Sequence, residues 1–337
     1  MAVMSTYNSW NHIPNSASHY LLTDILRDEW GFKGYVYSDW GAIEMLKTLH
    51  FTARNSSEAA IQAISAGLDA EASSKCYPFL KGLIEKGQFD EKILDTAVRR
   101  VLFAKFAMGL FEDRKRHSPE SVKLAKTIAD ESTVLLKNEN QLLPLDAKSL
   151  KSIAIIGPNA DQVQFGDYTW SRNNKDGVTP LQGIKNRVNK NTAIHYAKGC
   201  SLTSLDTSGI AEAVEAAKNS EVAVIFGGSA SAALARDYKS STCGEGFDLN
   251  DLNLTGAQSQ LIREVYRTGT PVILVLVTGK PFVIEWEKNN LPAILVQWYA
   301  GEQAGNSIAD ILFGEVVPSG RLTFSFPRST GHLPVYY

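Results

Sequence analysis

The chain has 337 residues, a length that favours two domains over one, and its 44% apolar and 21% charged residues fit an ordinary soluble globular protein. A net charge of −2 gives no reason to expect nucleic acid or an anionic membrane as a partner. No apolar run is long enough to span a bilayer, since even the greasiest stretch, 271–277, has the length of a buried strand.

The first ten residues lack the basic start and apolar core of a signal peptide, which says little about compartment. Residues 2–5 read as a strand, followed by a polar loop to Asn15. Residues 18–30 read as a helix with Leu21, Leu22, Ile25 and Leu26 on one face, closed by Gly31. Residues 35–38 form the next predicted strand, 57–66 a helix and 68–70 a third short strand. Helices over 77–86 and 90–110 complete this stretch, an alternation that implies parallel strands with covering helices. The charge run 112–117 reads as a solvated linker. Ser118-Pro119-Glu120 then supplies a helix cap, a first-position proline and an acidic first turn. Beyond it, 152–156, 221–226, 272–277 and 293–297 are apolar runs expected as strands buried on both faces of a parallel sheet. Helices are expected over 208–217, 257–266 and 302–313. The first stretch holds about three βα units, whereas a closed barrel of this type needs roughly eight. Three strands would leave edges unpaired, so this is either a small sheet or a barrel without its front.

Asp39 follows the 35–38 strand in Ser38-Asp39-Trp40-Gly41, where α/β folds place active-site groups; the rival reading is a cap for the following helix. Tyr7-Asn8 follows the first strand in the same way and could steady a carboxylate or a substrate hydroxyl. Asp69, in Asp69-Ala70-Glu71, is a third acidic strand end. Glu245 lies between Gly244 and Gly246, on a loop whose backbone could approach a ligand, or on a simple surface turn.

Other signals are blank. The loop after 152–156, Gly157-Pro158-Asn159, lacks the dinucleotide fingerprint, and Gly279-Lys280-Pro281 is no phosphate loop, which disfavours a nucleotide-binding protein. The six histidines form no metal-ligand cluster. Cys76, Cys200 and Cys243 fit neither a metal pattern nor a disulfide framework and are expected as unpaired thiols. Trp10, Trp40, Trp170 and Trp298 lie in or beside predicted loops, where aromatic faces can stack on sugars but more often pack.

Read together, ordered motifs carry a resemblance. They are Ser5-Thr6-Tyr7-Asn8, Leu21-Leu22-Thr23-Asp24-Ile25-Leu26-Arg27, Glu29-Trp30-Gly31-Phe32-Lys33-Gly34 and Tyr35-Val36-Tyr37-Ser38-Asp39-Trp40. Ala66-Gly67-Leu68-Asp69, Val134-Leu135-Leu136-Lys137-Asn138, Leu143-Pro144-Leu145, Ile155-Ile156-Gly157-Pro158-Asn159-Ala160 and Pro318-Ser319-Gly320-Arg321-Leu322 follow in order. Over essentially its whole length the chain resembles glycoside hydrolase family 3, of the β-glucosidase type. The resemblance implies an α/β protein in which the C-terminal portion of a (β/α)8 barrel precedes an α/β sandwich of flavodoxin-like kind. Its boundaries would be 1–111 for the incomplete barrel, 112–124 for the linker and the helix leading in, and 125–337 for a sandwich domain truncated at its end. The earlier barrel strands would be absent, with a Lys-His pair, an arginine and an aspartate that bind sugar hydroxyls. Many relatives continue past this end into a fibronectin-like domain. The chain thus reads as a fragment or as half of a split enzyme.

Carried over by position, Asp39 matches the nucleophile and Tyr7 the tyrosine beside it. Trp40 matches an aromatic next to the sugar and favours glucosides, because xyloside-cleaving relatives often have cysteine there. Glu245 fits one common form of the acid/base motif, with Glu302 and Asp237 as further candidates. The expected function is retaining hydrolysis of terminal β-D-glucosyl residues from β-glucosides or oligosaccharides by double displacement, with the two carboxyl groups roughly 5–5.5 Å apart. No metal or organic cofactor is implied. The expected partners are the β-linked substrate and a chain supplying the missing strands, and the full-length enzyme fits a periplasmic or secreted location. The alternative is a catalytically inactive fragment of such an enzyme.

Overall fold

The computed structural model describes residues 2–73, 75–112, 117–169, 173–231, 242–247, 249–332 and 334. The chain divides into two compact units, Met1–Arg116 and His117–Tyr337.

In the first unit, β1 (Ala2–Ser5) leads into a small antiparallel hairpin of β2 (Ser9–Trp10) and β3 (Ile13–Pro14). Its two turn residues, Asn11 and His12, both take positive φ (49° and 64°), the conformation a two-residue hairpin requires. Trp10 stacks on Tyr20 at 5.6 Å, so one of the loop tryptophans packs within the unit. The predicted helix appears as Tyr20–Glu29, wound wider than an α-helix, with Trp30 N–H reaching back five residues to Ile25 O at 2.9 Å. Gly31 ends it at φ +67°.

Strand β4 (Tyr35–Ser38) runs parallel to β1, with Ala2 opposite Tyr35 and Ser5 opposite Ser38. Four helices follow: α1 (Ala42–Thr48), α2 (Ser56–Ser65), α3 (Pro78–Glu85) and α4 (Glu91–Ala107). Asn55 and Asp90 cap α2 and α4 by accepting the Glu58 and Lys92 N–H groups. Leu22, Leu26, Val36, Ile43, Leu46, Leu68 and Leu80 form the core with the alanine face of α2. The third strand expected at 68–70 shrinks to one bridge between Tyr37 and Ala70. The cause is local: the Val36 N–H that a ladder would use goes to Asp69 Oδ2 at 2.7 Å.

In the second unit, α5 (Pro119–Ser132) starts as the sequence predicts, with Ser118 Oγ accepting from Ser121 N at 3.2 Å. Then come β5 (Val134–Asn138), β6 (Ser152–Ile156), α6 (Pro180–Arg187), β7 (Ala193–Ala197), α7 (Ile210–Lys218) and β8 (Val222–Gly228). The rest are α8 (Gln258–Tyr266), β9 (Val272–Val277), α9 (Glu285–Asn290), β10 (Ala293–Gln297) and α10 (Ala304–Leu312). One six-stranded sheet runs in the order β5-β10-β9-β8-β6-β7, parallel except for β5 at one edge.

The alternation of side chains along the strands creates two cores. Ile156, Ile225, Leu274 and Ile294 pack with α7 and α8, whereas Ile155, Val224, Val275 and Leu295 pack with α6 and α10. A central sheet covered by helices is what continuous apolar strands call for. The four runs expected as buried strands are buried throughout, save their first residues Ser152, partly buried, and Glu221, exposed and just ahead of β8. Strands β5 and β7 sit at the sheet edges, each with a single buried residue, so neither reads as a strand buried on both faces.

Candidate active site

Parallel pairing puts the carboxyl ends of β1 and β4 side by side, and with them Tyr7 and Asp39. Asp39 N–H bonds Ser5 O at 3.2 Å, which ties the two strand ends together. Tyr7 then donates its hydroxyl to Trp40 O at 2.9 Å, and a His50 ring nitrogen contacts Tyr7 O at 2.8 Å. The Asp39 carboxylate is half-buried, and its Oδ1 accepts Trp40 N–H at 2.6 Å. It does not cap α1: the residue before that helix is Gly41, at φ +75°, and the first-turn Ala42 N–H bonds the Asp39 backbone carbonyl. Trp40 is 69% exposed, so its ring stands in solvent beside that carboxylate. Asn8 contributes a backbone carbonyl, which accepts Asn15 N–H.

Asp69 has a different job. Its side chain is almost wholly buried, and it binds Arg27 at 2.5 Å, Arg100 at 2.9 Å and Val36 N–H. Both oxygens are engaged, so this carboxylate ties the first helix and α4 to β4 and offers nothing to a ligand. Burial pulls the Arg27 guanidinium below its ordinary value, which the neighbouring Asp69 charge only partly offsets. Glu71 is also spoken for, capping the Cys76 and Tyr77 N–H groups.

In the second unit Glu245 occupies an exposed loop between two left-handed glycines, Gly244 (φ +116°) and Gly246 (φ +76°). Two neighbours that the sequence did not single out hold it. Tyr168 donates its hydroxyl to Glu245 Oε2, and Asp167 Oδ2 accepts Glu245 N–H at 2.9 Å. Both come from the loop after β6, far away in sequence, and only the fold reveals them. Glu302 is turned to another task, with Oε2 at 2.8 Å from His117 Nε2. His117, in the charge run expected as a solvated linker, keeps a largely exposed side chain while making this contact. Asp237 and Trp170 lie outside the described residues. Trp298 packs edge-on against Phe324 and donates to Ser132 O, a structural role.

The cysteines are unpaired; Cys76 and Cys200 are buried and their thiols are pushed up to about 11, chiefly by desolvation.

Comparison with known proteins agrees across both units. Residues 1–104 match the glycosyl hydrolase family 3 N-terminal domain and residues 133–337 match the C-terminal domain of the same family. A β-xylosidase of Formosa agariphila is 39% identical over 359 residues, covering 100% of this chain and 48% of that protein. A periplasmic β-glucosidase of Salmonella typhimurium is 40% identical over 376 residues, covering 100% of this chain and 47% of the relative. Among solved structures, a β-glucosidase of Erythrobacter marinus superposes with a TM-score of 0.80 at 35% identity, over 99% of this chain and 48% of that one. The chain thus spans about half the length of the relatives it matches. With both domain models matched in order, the chain belongs to glycosyl hydrolase family 3.

Proposed function

We propose that the chain carries the two catalytic carboxyl groups of a retaining β-glycosidase acting on terminal β-D-glucosyl residues. Asp39 Oδ attacks the anomeric carbon while Glu245 protonates the departing glycosidic oxygen. Glu245 then takes a proton from water, whose oxygen displaces Asp39 from the glycosyl-enzyme and restores both groups. Two contacts support this reading. Asp39 lies at a strand end, where the Trp40 backbone N–H holds and orients one carboxylate oxygen. Glu245 sits on an exposed loop with Oε2 accepting from the Tyr168 hydroxyl, which orients its carboxyl group. Tyr7 steadies the Asp39-Trp40 turn, and the exposed Trp40 ring offers a face to the sugar.

The observation that carries the reading is the Asp39 carboxylate, at the carboxyl end of β4, free of the helix-capping role that would otherwise explain it. Within this reading the first unit is the end of a (β/α)8 barrel and the second a flavodoxin-like sandwich. The Salmonella relative supports a periplasmic or secreted location. A glucosyl substrate draws support from the related Listeria innocua β-glucosidase, whose structures hold glucose and laminaribiose.

An inactive piece is the second reading. It rests on β1, which pairs only with β4 among the described residues and exposes Met4. One assay decides between them: hydrolysis of 2,4-dinitrophenyl β-glucoside by the purified chain, with and without azide. Asp39→Ala should abolish turnover, and azide should restore it with α-glucosyl azide as product, the mark of a single displacement. Glu245→Ala should instead give β-glucosyl azide. Turnover by Asp39→Ala equal to that of the parent sinks the assignment.

A further inference from the structure

Three strands of the second unit's sheet end at one place. Ser229 follows β8, Thr278 follows β9 and Tyr299 follows β10, and Ser229 and Thr278 are fully buried. Ser229 Oγ donates to Thr278 Oγ1 at 3.0 Å, and Thr278 Oγ1 donates to Lys280 O at 2.8 Å. Tyr299 OH lies 2.6 Å from Ser229 Oγ and 2.6 Å from Cys243 Sγ. Each hydroxyl has one proton, which fixes the direction of the row. The Ser229 proton is committed to Thr278, so Tyr299 must donate to Ser229. The Tyr299 oxygen is then free to accept the Cys243 S–H, whose other acceptors, Ser229 Oγ and Ala230 O, each lie 3.7 Å from Sγ. Burial and the neighbouring thiol hold the Tyr299 phenol well above its ordinary range, consistent with a permanent donor.

Cys243 is two residues from Glu245, and its backbone bridges Ser231, three residues beyond β8. The Tyr299 ring also lies close to the other loop that reaches Glu245. A Cβ built on Gly166 would stand 4.0 Å from Tyr299 Cδ2, and one on Gly279 would stand 2.8 Å from Cε2. Gly166 immediately precedes Asp167 and Tyr168, the two residues that hold Glu245. Tyr299 therefore touches one arm of the clamp through its hydroxyl and lies beside Gly166 of the other with its ring.

We propose that Tyr299 is a positioning residue for Glu245, fastening the 243–247 loop to the sheet through Cys243 and bracing the 164–168 loop with its ring. This rests on the reading of Glu245 as the acid/base, and two separate readouts keep the claims apart. The first is amide hydrogen exchange in the full chain. Tyr299→Phe and Cys243→Ala should each speed exchange at amides 244–247 about fivefold, the worth of one net hydrogen bond, and leave 164–168 protected because the ring remains. Cys243→Ser, which keeps a donor, should restore protection. Unchanged exchange at 244–247 in both loosening variants overturns the proposal.

The second readout is leaving-group dependence. Tyr299→Phe should lower kcat/KM on phenyl β-glucoside about tenfold and leave kcat/KM on 2,4-dinitrophenyl β-glucoside nearly untouched, because that ratio reports glycosylation, where only the poor leaving group needs the proton. Equal losses on both substrates also overturn it. Glu245→Gln is the control: if that variant loses equally on both, the acid/base reading fails, while the exchange result still reports whether Tyr299 anchors the loop.

Discussion

Asp69 and Asp39 both stand at the end of a β-like run, yet the structure gives them different duties. Asp69 is enclosed with Arg27 and Arg100, and it accepts Val36 N–H as well. Removing one member of a buried ion network leaves the remaining charges unpaired, which costs about 3–5 kcal/mol. Asp69→Ala should therefore lower the urea stability of the chain by about that amount, read as a fall in the denaturation midpoint. A loss below about 1 kcal/mol would mean that water replaces the carboxylate and that the network is dispensable. The sequence carries the place of Asp39 well, because a strand, a polar residue and a glycine turn are local signals. It carries the duty of Asp69 poorly, because Arg27 and Arg100 come from helices on either side of it in the chain. The same limit hides Tyr168 and Tyr299, whose roles depend on strand ends that only the sheet order brings together.

At the scale of elements, α6 and α10 lie so close that two glycines are obligatory. A Cβ on Gly183 would stand 2.0 Å from Gly305 O, and one on Gly305 would stand 2.1 Å from Thr179 O. Backbone atoms cannot rotate aside, so Gly183→Ala must push the helices apart, at a cost of about 1–3 kcal/mol or more. Gly82, inside α3, is its internal control: a Cβ there meets nothing within 4 Å. Gly82→Ala should stabilise by about 0.5–1 kcal/mol, since alanine loses less backbone freedom in a helix. Thermal denaturation of the two variants should shift in opposite directions, and a shift in the same direction would discard the close-packing account. The apolar strands at the centre of the sheet could be read from the sequence because they are buried on both faces. The edge strand β7 could not, because His195 and Tyr196 interrupt its apolar pattern where it meets solvent.

At the scale of the molecule, the two units are unequally equipped to stand alone. Residues 117–337 hold a six-stranded sheet between two cores, and its central strands are covered on both faces. Residues 1–116 hold one core over a two-stranded parallel sheet, a pairing that is marginal by itself in water. The same unit exposes Leu102, Phe103 and Phe106 along α4, and Phe111 just beyond it, with Phe106 at 64% and Phe111 at 60%. Apolar surface of this kind on a soluble unit marks a face that is either covered by something else or prone to aggregate. Expressed separately, 117–337 should unfold in one sharp urea transition, as a well-filled domain does. The 1–116 piece should bind a hydrophobic dye such as ANS and unfold gradually, with secondary structure that outlasts its tertiary packing. A sharp transition in 1–116 without dye binding would show that its single core suffices and that its exposed aromatic face needs no cover.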